Sequence, residues 1–563
     1  MAVTSQLRVS YLTNSIPRCN SWTSTYHSRN LSLKTSNSRM VHIKSIAFND
    51  KLPPLQKVDK TRSLEQVKRR SRDSLLNSSD PIETMKMIDS IQGLGISHHL
   101  EDEVNIQLER ICDWDASTNL FATSLQFRLL RHNGWPTCSD IFRDFLDKSG
   151  NFKESLAKDI FGMLSLYEAS YLGTEDEEIL KKAMQFSKDH LNESIPHLSP
   201  EVGKHIDRAL TLPKHLRMAR LEARNYMDEY RHASKQIPAL WELAKLDNDM
   251  IQSLHQTELR EICRWWKELG LVEKLSFARD RPTECFLWTV GIFPEPCYTN
   301  CRIELTKTIC ILDVIDDIFD NYGTLDELIL FTNAIKRWDL DSMEQLPEYM
   351  KICYMALYNT TNEISYKIQT VHGINGLSYL KRTWMDMFDA YLEEAKWFNS
   401  GYVPSFRTYL DNGTISVGSC MAMVHATFLI GNGLSKETIS MMRPYPRLFT
   451  CTGEILRLWD DLGTSTEERE RGDNASSIEC LMEENNILDE NESRKHIRLL
   501  IRNLWRELNG LAMNKTMPLS VVKSSLNMAR TAQVIYQHGD DQSTFTVDDY
   551  VQTLIFSSLP TSH

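Results

Sequence analysis

From about residue 60 to the C-terminus the apolar residues recur at helical spacing almost everywhere, and alternating strand patterns are few and short. Leu180, Met184, Ser187 and Leu191 follow 4-3-4 spacing behind an acidic run at Glu175, Asp176, Glu177 and Glu178, which suits the positive end of a helix. Leu243, Leu246, Met250 and Leu254 repeat the period, as do Leu259, Ile262 and Trp266. Glycine and proline punctuate the pattern at Gly173, Pro213, Pro238, Pro294, Pro296 and Gly401. No fixed-period repeat marks a solenoid. The fold class is therefore all-α. At 563 residues the chain exceeds the size at which one core keeps growing, so two domains are expected. A seam falls near 230–240, between the basic stretch Arg217, Arg220, Arg224 and a new periodic segment from Trp241. The chain divides on this reading into 1–50, a helical 51–235 and a helical 236–563, with the reactive residues gathered in the last part.

Charge and cysteine usage narrow the partners. A formal net charge of −12 argues against nucleic acid, whose phosphates demand a basic face. No uninterrupted apolar run of 18 residues marks a membrane-spanning helix. The 12 cysteines form no CxxC pair, Cys297 and Cys301 being the closest spacing, so free thiols and no structural zinc are expected. The first 49 residues hold no acid, six Lys or Arg and fifteen Ser or Thr, and Asp50 is the first acid. That is the composition of an organelle transit peptide, with plain N-terminal disorder as the alternative.

Three segments carry chemistry. In residues 309–320, Leu305, Ile309 and Leu312 place a helix in the core, and Asp316 and Asp320, four apart, share a face with Asp317 beside them. Acids crowded among apolar residues need compensation, which a hard divalent cation supplies. The alternative is a solvated acidic helix end with Asp313 as a further member. Further on, Asp460, Thr464 and Glu468 stand at i, i+4 and i+8, so two carboxylates and a hydroxyl form one stripe suited to a metal ion. The alternative there is a capping region leading into a charged surface helix. Arg457, one turn before Asp460, points the same way and suits a phosphate oxygen. Thirdly, Arg279-Asp280-Arg281-Pro282 lies 37 residues before Asp316, outside a helical pattern, as a loop that closes over an anion would. Taken together they describe a diphosphate site, with acids for metals and arginines for oxygens.

On these motifs the chain resembles the plant class I terpene synthases over nearly its whole length past residue 50. DDIFD at 316–320 is similar to their aspartate-rich motif, DDLGTSTEE at 460–468 to their second metal motif, and RDR at 279–281 to their arginine loop. The resemblance implies a two-domain α fold, with a helical N-terminal domain and a class I α-bundle catalytic domain. It implies three Mg²⁺, two mainly at Asp316 and Asp320 and one at Asp460, Thr464 and Glu468, with Mn²⁺ as a substitute. It further implies a prenyl diphosphate substrate, a cavity wall at Trp288, and a lid segment carrying Tyr536, His538 and Asp540. A plastid location follows if the N-terminus is a working transit peptide, and the cytosol if it is not; a monomer or weak homodimer with no integral membrane association is expected.

Two departures from the cyclising relatives point to an acyclic product. Arg69-Arg70 is followed eight residues later by Ser79 where cyclic monoterpene synthases carry Trp, and Asp473-Asn474-Ala475-Ser476 stands where many carry a basic residue. Both resemble the linalool and nerolidol synthases, which implies water capture at C3 of geranyl diphosphate to give linalool, or of farnesyl diphosphate to give nerolidol. Acyclic or cyclic hydrocarbons are the alternative products. A chain-elongating prenyltransferase would carry two DDxxD motifs, a proton-initiated cyclase would carry DxDD where the nearest string is Asp339-Leu340-Asp341-Ser342, and a helical scaffold would have no reason to align acids and arginines on three segments.

Overall fold

The computed structural model describes residues 54–232, 235–472, 475–514, 516–537 and 546–559. The transit-peptide reading of 1–50 lies outside these residues, as do Asp473, Asn474, His538 and Asp540. From Asp59 onward the chain forms one compact unit. Among the described residues no strand forms, and Leu146 and Phe152 make an isolated bridge. The all-α expectation holds.

The helix Glu178–Ser194 buries Leu180, Met184, Ser187 and Leu191, the face that the 4-3-4 spacing defines. The acidic run ahead of it does more than meet the helix dipole. Glu177 accepts from Arg131 Nη1 at 2.6 Å and from the Thr174 N–H at 2.9 Å, so it closes the preceding turn.

The helix Pro238–Leu269 departs from the face read above. Leu243, Ile262 and Trp266 are buried, but Met250 is 38% exposed, and Asp247, His255 and Glu258 take the inward positions. Each buried charge on it has a partner: Asp247 meets Arg220 Nη1 at 3.2 Å, and Glu258 receives Arg302 Nε and Nη2 at 2.8 and 2.7 Å. Arg302 is fully buried. His98 and His99 bring their Nε2 atoms to 2.9 Å from Asp247 Oδ1, a charged cluster that the sequence reading of the N-terminal half lacks. The basic stretch before the seam is structural as well. Arg220 Nε donates to the Pro294 carbonyl at 2.6 Å, and Arg224 Nη2 donates to the Ser557 and Ser558 carbonyls at 3.0 and 2.6 Å.

Helices of the C-terminal half line a cavity, among them Pro282–Ile292, Thr299–Asp317, Leu377–Ser400, Phe406–Ser416, Arg447–Arg471 and Leu519–Tyr536. Ser419–Ile430 packs against Thr299–Asp317, Leu377–Ser400, Arg447–Arg471 and Leu519–Tyr536. The stretch Phe406–Ile430 is long and apolar enough to cross a membrane, but 89% of its most apolar window is buried in protein. It breaks at Gly418, whose φ of +76° a residue with a side chain rarely adopts. A Cβ there would also stand 2.8 Å from Leu312 Cδ1, so the break lets two helices meet. All the cysteines of the described residues are free, as expected.

Candidate active site

The cavity has a volume of about 980 Å³ and brings the three sequence segments to one mouth. Arg279, Arg281, Asp316 and Asp320 line one side, and Arg457, Asp460, Thr464 and Glu468 the other. Trp288, Leu312, Phe319, Tyr391 and Tyr536 form its walls. The Trp288 and Tyr536 rings lie 6.0 Å apart.

The helix Thr299–Asp317 runs into a π turn, Ile318–Tyr322, so Asp316 and Asp320 still open onto the cavity although the regular helix has ended. Asp317 turns inward and is 2% exposed. Its Oδ2 accepts the Arg279 backbone N–H at 2.9 Å, and its Oδ1 stands 2.6 Å from Arg279 Nε. Both oxygens thus hold the arginine loop, and the residue also borders the cavity. Arg279 Nη2 reaches Asp316 Oδ2 at 2.7 Å. Burial alone would lower the guanidinium's proton affinity, but the carboxylates of Asp316, Asp317 and Asp313 outweigh it and keep Arg279 charged. Asp280 accepts Trp266 Nε1–H at 2.9 Å, which anchors the loop from its other side.

The second motif divides in the same way. Asp460, Thr464 and Glu468 face the cavity, with Thr464 Oγ1 at 2.8 Å from both the Asp460 carbonyl and Glu468 Oε1. Asp461, fully buried, accepts Arg457 Nε at 2.7 Å, Arg457 Nη2 at 2.5 Å, the Tyr409 hydroxyl at 2.9 Å and the Ser477 N–H at 2.9 Å. Arg457 Nη2 also lies 3.1 Å from Asp460 Oδ2. The guanidinium fits because residue 413 is glycine: a Cβ there would stand 2.8 Å from Arg457 Cδ.

Burial raises the proton affinity of Glu468, Asp460 and Asp313. It lifts Glu468 to about 8 against the pull of Arg457, with Asp460 and Asp461 adding to the rise. Asp460 rises for the same reason, opposed by Arg457 and by the hydrogen bond from the Tyr536 phenol. Asp313 is raised to about 6, chiefly by burial. Oxygen donors with an excess of buried negative charge, and no nitrogen or sulfur among the two acid stripes, fit a hard divalent cation.

Two cavity residues escape the sequence reading. Glu394 Oε1 accepts Ser416 Oγ at 2.6 Å and Asn412 Nδ2 at 3.1 Å, and the Tyr391 phenol donates to Asp316. A glutamate in the segment Leu-Glu-Glu-Ala-Lys reads as a solvated position, and the available signal was its place one turn from Tyr391 on an otherwise buried face. Of the residues expected at the site, His538 and Asp540 lie outside the described residues.

Comparison with known proteins places the chain in a family. Residues 267–507 match the description "Terpene synthase family, metal binding domain" and residues 38–210 match "Terpene synthase, N-terminal domain". The chain is 60% identical to a probable terpene synthase 11 of Ricinus communis, over 88% of this chain and 87% of that protein. It is 51% identical to a chloroplastic geraniol synthase of Ocimum basilicum, over 85% and 84% of the two chains. It is 48% identical to a chloroplastic R-linalool synthase of the same species, over 86% and 85%. Among solved structures, isoprene synthase from grey poplar, in complex with three Mg²⁺ ions and dimethylallyl-S-thiolodiphosphate, superposes with a TM-score of 0.85 at 36% identity, covering 89% of this chain and 98% of that one. The chain belongs to the terpene synthase family.

Proposed function

We propose that the protein is a Mg²⁺-dependent monoterpene synthase that ionises geranyl diphosphate and captures water at C3 to release linalool; farnesyl diphosphate would give nerolidol by the same chemistry. The observation that carries this reading is the convergence of two acid stripes and three arginines on the mouth of one aromatic-walled cavity. Asp316 and Asp320 hold metal from one side, and Asp460, Thr464 and Glu468 from the other, three Mg²⁺ in all, with Mn²⁺ able to replace them. Bound Mg²⁺ supplies positive charge to the diphosphate oxygens as the allylic C–O bond breaks. Arg279, Arg281 and Arg457 direct N–H donors at the same departing group, Arg279 and Arg457 from positions that Asp317 and Asp461 hold before any ligand arrives. In the same cavity Trp288 and Tyr536 offer π faces to a cation and exclude water.

Ser79 in place of a Trp, and the relatives that make the acyclic alcohols geraniol and R-linalool, support an acyclic alcohol as product. A hydrocarbon is the second reading, favoured by the apolar lower wall of Trp288, Leu312 and Phe319 and by the likeness to isoprene synthase. The acid-free N-terminus and the chloroplastic relatives support import into plastids. We divide the mature chain at 235, with 236–563 as the catalytic domain, and take it to act as a monomer or weak dimer. The test incubates the protein lacking residues 1–50 with geranyl and with farnesyl diphosphate, each with Mg²⁺ and with chelator, and reads the volatiles by chiral gas chromatography–mass spectrometry. Mg²⁺-dependent linalool or nerolidol supports the proposal; ring products overturn the acyclic reading, and no product from either substrate overturns the reaction.

A further inference from the structure

Asp313 is an acid of the cavity that the metal and diphosphate assignments leave unused. It lies three residues before Asp316, so it sits about 4.5 Å along the helix axis at a rise of about 1.5 Å per residue. That displacement runs inward, since Asp320 is exposed, Asp316 half-buried and Ile311 buried. Asp313 shares the cavity lining with Leu312, Trp288 and Tyr536. Asp313 is thus no solvated helix end. Cys285 Sγ–H donates to its Oδ2 at 3.3 Å. Its Oδ1 takes no hydrogen bond from the described residues, and the side chain lines the cavity.

We infer that Asp313 is the proton acceptor that ends the reaction, its free Oδ1 facing the hydrocarbon part of the bound substrate. The inference deepens the proposed function and rests on it. In the alcohol-forming step a lone pair of solvent water makes the C–O bond to the cationic carbon, the water O–H bond breaks, and the proton passes to Oδ1, turning carboxylate into carboxylic acid. Without that water, a C–H bond beside the cationic carbon breaks, its electrons make the C=C bond, and the proton again goes to Oδ1. Both endings need a base beside the carbon skeleton, and Leu312 and Trp288, which share the lining with Asp313, supply none. Burial, opposed by the Arg279 charge and assisted by Asp316, raises Asp313 to about 6, which suits a base that works near neutral pH.

The test uses the full chain and two variants, Asp313→Asn, which keeps size, and Asp313→Ser, which keeps a polar partner for Cys285. Each is assayed with geranyl diphosphate for the rates of alcohol and hydrocarbon release and for the Mg²⁺ concentration giving half-maximal turnover. Loss of the proton acceptor is expected to slow release of both alcohol and hydrocarbon by about tenfold or more in both variants, with the Mg²⁺ requirement moving less than about twofold. Undiminished release of both products in a folded variant overturns the inference. A Mg²⁺ requirement raised about tenfold or more overturns it too, because Asp313 would then belong to the metal set. A parent enzyme that releases no diphosphate from geranyl or farnesyl diphosphate instead overturns the proposed function on which the inference rests.

Discussion

Metal uptake by this protein should release protons, and the structure sets how many. Burial holds Glu468 protonated up to about 8, yet a metal ion needs the ionised carboxylate. At pH 7 such a group is about 90% protonated, so an ion entering the Asp460, Thr464 and Glu468 stripe displaces about 0.9 proton, to which Asp460 adds. The apparent Mg²⁺ affinity should therefore weaken about 25-fold between pH 8.5 and pH 6.5 through Glu468 alone. The sign for metal-free stability follows from the same shift. A folded-state value above the unfolded 4.5 means that stability is lost as pH rises from 4.5 through about 8, so the metal-free protein should melt higher at pH 6.5 than at 8.5 from this group. Mg²⁺ should stabilise most at the alkaline end. Calorimetric titration of Mg²⁺ in two buffers of different ionisation enthalpy counts the protons, and Glu468→Gln should abolish most of the release. Release below about 0.3 proton per ion at pH 7, or an affinity flat from pH 6.5 to 8.5, would refute the assignment of Glu468 as a buried metal ligand.

Asp316→Ala and Asp460→Ala should each cut turnover by about 10²-fold or more while far-ultraviolet circular dichroism stays unchanged; retained turnover in either would sink the metal assignments. Gly413→Ala puts a Cβ 2.8 Å from Arg457 Cδ and should push the guanidinium off Asp461. We expect it to cost about 1–3 kcal/mol of stability, with slower diphosphate release, measured by thermal melting and a phosphate-coupled assay. Arg302→Met leaves Glu258 buried and unpaired, at about 3–5 kcal/mol, and should lower the melting temperature without changing the Mg²⁺ dependence of the surviving activity. Residues 1–50 fused to a fluorescent protein should direct it to plastids, and fluorescence left in the cytosol would remove the transit-peptide reading.

Apolar periodicity made the helices legible wherever apolar residues cover the buried face, as in Glu178–Ser194. It misplaced the face of Pro238–Leu269 because that helix buries Asp247, His255 and Glu258, and a periodicity argument sets polar residues outside. Such burial is stable only when partners arrive from elsewhere in the chain, here Arg220 from upstream and Arg302 from downstream. Spacing along one segment carries no information about those partners. Glu394 was hidden for the same reason, since its donors Ser416 and Asn412 lie on another helix. Within the site, spacing did bring Asp316 with Asp320, and Asp460 with Thr464 and Glu468, onto common faces, because i, i+4 neighbours need nothing beyond the helix itself.

What spacing leaves open is why each motif carries a doubled aspartate, and the geometry supplies a physical reason. Consecutive helical residues point about 100° apart, so the two acids of a pair cannot face one cavity equally. In both pairs the second acid is the more deeply buried and binds an arginine: Asp317 holds Arg279, and Asp461 holds Arg457. Lone buried arginines would be costly, and free ones would lose side-chain entropy on meeting an anion. Ion-paired within the fold, they are already oriented when charge develops on the leaving group, so little reorganisation remains to be done in the transition state. Each doubled aspartate thus couples one cavity carboxylate to one anchored guanidinium, which places opposite charges side by side around a single mouth. Exchanging the inner acid for asparagine should accordingly slow diphosphate release through a loosened arginine, with a smaller effect on Mg²⁺ affinity than loss of Asp316 or Asp460.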